Sequence, residues 1–247
     1  MSVTLGSHGP AVATMTELPM QRGIAMIRVD KVCKVYKHRK TPVTGLDNVS
    51  FSIAKGEFVA VVGPSGSGKT TLLVTIGAML RPTSGTVHIN ERAVYSLPMA
   101  EMAELRRKQI GFLFQTFNLI PYLTAEQNVM APLMLAKLPT DRQRVRATEL
   151  LGRVGLGDRL DHKPSELSVG QQQRVALARM MANDPALILA DEPTGNLDPQ
   201  TAENALAFLG GLCKDEGKTI VMVTHSMDAA KKAGRLLRCT NGLITEA

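Results

Sequence analysis

The sequence predicts an α/β fold, a parallel sheet flanked by helices and interrupted by a helical arm. Three observations carry that expectation. A glycine-rich loop stands between an apolar strand and a helix, two further apolar runs near the C-terminal end alternate with helices, and the middle of the chain, about residues 99–183, reads as mostly helical. At 247 residues, one domain with an attached subdomain is the natural organisation.

Residues 25–32 are rich in Ile and Val and read as a strand. A turn-prone segment, 41–47, leads to a second alternating run at 49–53. A third strand, 57–62, enters the glycine-rich 63–68, and 70–79 has the composition of a helix. A hairpin-like piece at 85–90 closes this first block. After the helical middle come two buried-looking strands, 187–190 and 219–223, and Asn241-Gly242 is a favoured pair for a final hairpin turn. The first 25 residues, with their Ser, Gly and Pro content, read as a flexible lead-in without a secretory signal, and Met26 is a candidate start. No appended regulatory domain is expected after the last hairpin.

Composition narrows the partners. A net charge of +7 permits contact with nucleic acid or anionic headgroups, but aromatic residues make up 4% of the chain and Trp is absent. An interleaved basic and aromatic surface for single strands is therefore hard to assemble, and no nucleic-acid partner is expected. Cys33, Cys213 and Cys239 are widely spaced, form no zinc pattern, and fit a reduced, cytoplasmic setting. No apolar run approaches the length of a membrane span.

The run Gly63-Pro64-Ser65-Gly66-Ser67-Gly68-Lys69-Thr70 matches G-x-x-x-x-G-K-[ST], the phosphate-binding P-loop. Glycines let successive N–H groups turn inward around a phosphate. Lys69 supplies a compact charge for the β and γ phosphates, and the Thr70 hydroxyl is placed for Mg²⁺. The combination predicts a site for ATP and Mg²⁺. The strand Ala186-Leu-Ile-Leu-Ala190 ends in Asp191 and Glu192. Asp191 reads as the acid beside the metal, and Glu192 as general base or orienter of the attacking water; the plainer reading is a buried strand ending in acids at solvent.

Leu167-Ser168-Val169-Gly170-Gln171 resembles the Leu-Ser-Gly-Gly-Gln signature of the ATP-binding-cassette family, with Val169 in place of the first Gly. Ser168 and Gln171 also form the S-x-x-Q of a helix capping box, so the run reads both as a helix start and as the signature. The resemblance covers residues 26–247 and rests on seven motifs in order. It implies a P-loop NTPase core of RecA type with a parallel sheet, an antiparallel β piece near the N-terminus, and an inserted helical subdomain at about 99–183. It further implies that Tyr36 stacks on adenine, that Thr71 continues the phosphate grip, and that Gln115 reaches Mg²⁺ and the water. By the same resemblance Ser168, Gly170 and Gln171 contact the γ-phosphate held by a second copy of the chain, Asp198 lies in the loop through which the copies sense each other, and His225 is the switch histidine at the γ-phosphate. Singly, each of these residues has a structural reading: packing for Tyr36, a turn for Asp198, a strand-end residue for His225.

The same resemblance predicts an ATPase acting as a homodimer on integral membrane permease subunits, at the cytoplasmic face of the inner membrane. Leu105-Arg-Arg-Lys108, Phe117-Asn-Leu-Ile-Pro-Tyr-Leu123 and Pro193-Thr-Gly-Asn-Leu-Asp198 are similar to the branch containing lipoprotein-release, macrolide-export, haem-export and cell-division ATPases. That branch implies a four-span partner with an extracytoplasmic domain. The 117–123 stretch reads either as the grip on that partner or as internal packing. A soluble cassette ATPase acting on nucleic acid or ribosomes is the rival reading, disfavoured because residues 72–166 hold no coiled-coil heptads and only one cassette is present.

Overall fold

The computed structural model describes residues 25–37 and 41–247, so all but the last residue of the 1–25 lead-in falls outside the described residues. The chain opens with β1 (Ala25–Tyr36) and β2 (Val43–Ala54), paired antiparallel. Both strands are longer than the 25–32 and 49–53 expected. The segment read as turn-prone is strand from Val43 onward, because the ladder continues through Val35↔Thr44 and Tyr36↔Val43 after register shifts near Val32 and Lys34. Pro42 sits just before the strand, where its missing N–H costs no ladder bond.

β3 (Phe58–Val62) is buried throughout. It delivers the glycine loop to α1 (Lys69–Ile76), which Gly77 ends three residues earlier than expected. β4 (Ser84–Ile89) and β5 (Arg92–Ala93) form the expected hairpin, and β4 also pairs with β1, making an antiparallel sheet of order β2-β1-β4-β5.

α2 (Met99–Gln109) then leads to β6 (Ile110–Leu113), an edge strand of the core sheet parallel to β7 (Leu187–Asp191). This corrects the boundaries of the arm: residues 99–183 are not one helical block, since the chain returns to the sheet before leaving it. The arm consists of α3 (Ala125–Leu135) and α4 (Thr140–Arg153), joined to the core by α5 (Val169–Met180), which packs on both helices and on β6. α6 (Pro199–Glu216), β8 (Thr219–Thr224), the short α7 (Met227–Ala230), β9 (Arg235–Thr240) and β10 (Leu243–Glu246) complete the chain. Asn241 and Gly242, at φ 50° and 81°, make the expected turn between the last two strands.

The core sheet has the order β10-β9-β3-β8-β7-β6, with only β10 antiparallel to its neighbour. Its central strands are apolar on both faces, as parallel strands covered on both sides must be. Phe58, Ala60 and Val62 enter the core beneath α5, α6 and the arm, whereas Val59 and Val61 enter the core shared with α1 and the antiparallel sheet. The strand carrying the phosphate loop is therefore clamped from both sides.

Candidate functional site

Gly68, at φ +110°, opens α1; a Cβ there would lie 2.2 Å from the Gly45 carbonyl oxygen, so only glycine fits. Lys69 follows, buried, its Nζ donating to the Gly63 and Pro64 carbonyls at 2.8 and 2.9 Å. The loop is braced from below by residues far along the chain. Ser67 O accepts from Gly242 N at 2.8 Å and from the Cys239 thiol at 3.1 Å, while Ser67 Oγ is buried without a partner among the described residues.

Asp191 ends β7 directly across from α1, and the Thr70 hydroxyl donates to its Oδ1 at 3.2 Å. Burial pushes the Asp191 carboxyl above the usual carboxylate range; the Thr70 hydrogen bond opposes the shift, Glu192 adds to it and Lys69 reduces it. Glu192 takes φ 45°, a left-handed conformation unusual outside glycine, fixed in part by its N–H donating to Val223 O at 2.9 Å. Its Oε2 lies 2.9 Å from His225 Nδ1 and accepts from the His225 N–H at 3.3 Å. The mostly buried carboxylate thus holds a ring that is itself largely exposed.

Tyr36, the loop residues Ser65, Gly66 and Gly68, and Lys69, Thr70, Thr71, Gln115, Asp191, Glu192 and His225 line one hollow of about 630 Å³. At the end away from the acids, the Tyr36 hydroxyl meets Thr71 Oγ1 at 3.2 Å and Lys34 Nζ stands 5.5 Å from its ring centroid. Val43, half exposed and in register with Tyr36, lines the same end. Reading residues 41–47 as a turn hid it.

Ser168, Gly170 and Asp198 do not join this hollow; they line a separate one of about 680 Å³. The capping box is present: Ser168 Oγ accepts from Gln171 N at 3.3 Å, and Gln171 Oε1 accepts from Ser168 N at 2.8 Å. A Cβ on Gly170 would come 3.0 Å from Thr201 Cγ2, so this glycine lets α5 lie against α6. Asp198 caps α6 through Thr201 N at 3.0 Å, and the hydrogen bonds from Thr201 hold its carboxyl below the usual range. Gln173, buried and not singled out from sequence, donates from Nε2 to Pro193 O at 2.9 Å and ties the signature helix to the segment after Glu192. Its place as third in a Gln run was the available signal.

The 117–123 stretch divides. Phe117 is buried in the core whereas Tyr122 is 74% exposed. Buried Asn128 holds the loop by donating to the Ile120, Leu123 and Thr124 carbonyls, and Arg179 donates to those of Phe117 and Asn118. Beside it, between α2 and the arm, lies a groove of about 750 Å³ with Phe112, Phe114, Pro132, Leu135 and Met180 on its walls and Arg106, Arg107 and Arg179 among its polar residues. Among the described residues, no helix is long and apolar enough to cross a membrane.

A family model described as "ABC transporter" matches residues 46–195. An ABC transporter ATP-binding protein of Thermotoga maritima is 47% identical over 213 residues, 86% of this chain and 91% of that protein. The macrolide export ATP-binding/permease protein MacB of Brucella melitensis is 43% identical over 222 residues, covering 90% of this chain but 34% of its own. Among solved structures, the dimeric post-hydrolysis state of the ATP-binding cassette MJ0796 bound to ADP and Pi is similar, with TM-score 0.84, 42% identity, and coverage of 90% of this chain and 98% of that one.

Proposed function

The chain belongs to the ABC transporter family as an ATP-hydrolysing, ATP-binding subunit, and from that premise we propose that two copies close face to face around two ATP molecules to drive a membrane permease. The observation that carries this reading is the separation of the two hollows. One chain gathers the phosphate loop, both acids and His225 in one place and presents Ser168 and Gly170 in another. A second copy, rotated by a two-fold axis, brings the missing half to each.

In this reading the phosphates lie on the loop N–H groups and the N-terminus of α1, with Lys69 and Thr71 beside them, and adenine stacks on Tyr36 against Val43. The three side chains that would hold a metal each offer oxygen: the Thr70 hydroxyl, the Asp191 carboxylate and the Gln115 carboxamide. That set suits Mg²⁺, and a carboxylate strained by burial is one that a cation relieves. When bound, Mg²⁺ would neutralise charge on the phosphate oxygens. Glu192 orients the water and accepts its proton as the water oxygen bonds to the γ-phosphorus and the bond to the β-phosphate oxygen breaks. His225, held by that carboxylate at 2.9 Å, reaches the γ-phosphate and keeps the water in place. Ser168, Gly170 and Gln171 of one copy complete the γ-phosphate shell of the other at the positive end of α5, and Asp198 stands beside them.

The permease is proposed to be the four-span, mechanotransmitting type, placing this chain at the cytoplasmic face of the membrane. MacB, in which such a cassette and a permease share one protein, supports the pairing. The groove beside Phe114, apolar on its walls and edged with Arg, suits a short helix of that partner, and the braced 117–124 loop would transmit closure to it. The test is the Glu192→Gln variant with ATP. Phosphate release should fall roughly 10²- to 10⁴-fold while an ATP-dependent dimer accumulates on a sizing column; normal turnover sinks the base assignment, and a persistent monomer sinks the composite site.

A further inference from the structure

β9 runs beside β3 as far as the pair Val62↔Arg238, where β3 gives way to the glycine loop and β9 continues for two residues beneath it. Cys239 is the first residue past that pairing, fully buried, and it meets the loop at both ends. A Cβ on Gly63 would stand 2.1 Å from the Cys239 carbonyl oxygen, so the first glycine of the loop lies directly on this residue. At the other end the Cys239 thiol donates to Ser67 O at 3.1 Å, beside the Gly242 N–H that donates to the same oxygen at 2.8 Å. Burial pushes the thiol above its ordinary range, against the opposing effects of the Ser67 hydrogen bond and the Lys69 charge, so it keeps the proton that it donates.

Both donors act on one peptide. A trans peptide is planar, so its C=O and N–H point in opposite directions. With the Ser67 carbonyl drawn to the floor, the Gly68 N–H is turned the other way, toward the hollow that Gly68 lines and the floor residues do not. Among the described residues no backbone oxygen accepts from that N–H. Resting on the reading of this hollow as the nucleotide site, we infer that Cys239 is a positioning residue for phosphate binding: its thiol holds the Ser67–Gly68 peptide in the orientation that offers the Gly68 N–H to a phosphate oxygen. Without the thiol, Gly242 alone restrains the carbonyl and the peptide turns more freely. Nucleotide binding must then order it, and affinity falls.

The test compares Cys239→Ala, Cys239→Val and Cys239→Ser with their parent by calorimetric titration of the full chain with ADP and Mg²⁺. ADP lacks the γ-phosphate that a second copy would grip, so dimer closure does not enter the measurement. Alanine and valine remove the donor, one leaving space and the other filling it, whereas serine loses the same bulk as alanine but keeps an O–H. Alanine and valine should each weaken ADP binding by about 3- to 10-fold, the effect of one hydrogen bond, and serine should stay within about twofold of the parent. Urea unfolding should rank the variants differently, with serine and alanine both below the parent, because stability follows packing and affinity follows the donor. Alanine and valine variants with the parent's affinity overturn the inference. A serine variant as weak as alanine makes the effect one of packing and overturns it too. If valine does not fold, alanine against serine carries the same comparison. A parent that binds no ADP overturns the nucleotide-site reading first, and this inference with it.

Discussion

The phosphate-loop end and the signature end of the proposed composite site are built by different means. The first is a convergence of strand ends. β3 carries the loop, β7 carries Asp191 and Glu192, β8 leads to His225, and each belongs to the same buried sheet. The second is a single helix start whose Ser168 and Gln171 satisfy one another, with Val169 facing solvent. The first end is shaped by the sheet itself; the second is shaped by local hydrogen bonding over residues 168–171 and by the contact of Gly170 with Thr201, on a helix that Gln173 and its apolar face anchor to the core.

Substitutions can break or sharpen this contrast. The largest effect is expected from Gly68→Ala, which adds backbone strain at φ +110° to a 2.2 Å overlap with Gly45 O; it should cost about 3 kcal/mol or more in urea unfolding and abolish ATP binding. Next, Lys69→Ala should leave the fold in place but weaken ATP binding roughly 10- to 150-fold by calorimetry, the equivalent of about 1.5–3 kcal/mol for a charged hydrogen bond. Equal loss from Ser168→Ala in a monomeric sample would collapse the distinction, because that variant should bind ATP normally as a monomer. Its own signature is a lost helix cap worth about 1 kcal/mol, a melting temperature lower by roughly 2–4 °C, and failure to close with ATP.

The smallest effect is expected from Asp191→Asn, and its sign is opposite. Burial raises the Asp191 carboxyl, so the folded chain holds that proton more tightly than the unfolded chain. Its cost to stability sets in as pH rises from the ordinary carboxylate value through the raised one, and is fully present above it. Without Mg²⁺ at neutral pH, Asp191→Asn should therefore melt no lower than the parent, and up to about 3 °C higher, while losing Mg²⁺-dependent hydrolysis. A clear drop in melting temperature would show Asp191 to be structural before it is functional.

Most of the phosphate-loop end was legible in the sequence because its residues are chemically special and locally patterned: the loop and the acid pair each announce themselves within a few positions, as the signature does at the other end. The misses have physical causes. Ile110-Gly-Phe-Leu113 is a four-residue apolar run after a helix, and periodicity cannot separate so short a strand from helix. Thr41 and Pro42 disguised the start of β2, and with it Val43. That a side chain at position 170 would crowd Thr201 depends on α6, whose first turn lies about thirty residues later. The braces Gln173, Asn128 and Arg179 act through backbone carbonyls, which no sequence pattern displays.

The brace beneath the phosphate loop bears on how the protein is made. Ser67 is held by Cys239 and Gly242, Gly242 O accepts from Asp47 N, and β3 lies between β8 and β9. Residues 63–70 are made before all of these, and their cradle gains one flanking strand with β8, the other with β9, and its floor only with residues 239 and 242. A chain that stopped short of residue 242 would carry the whole motif without that floor, so the shape of the nucleotide cradle depends on residues about 175 positions downstream.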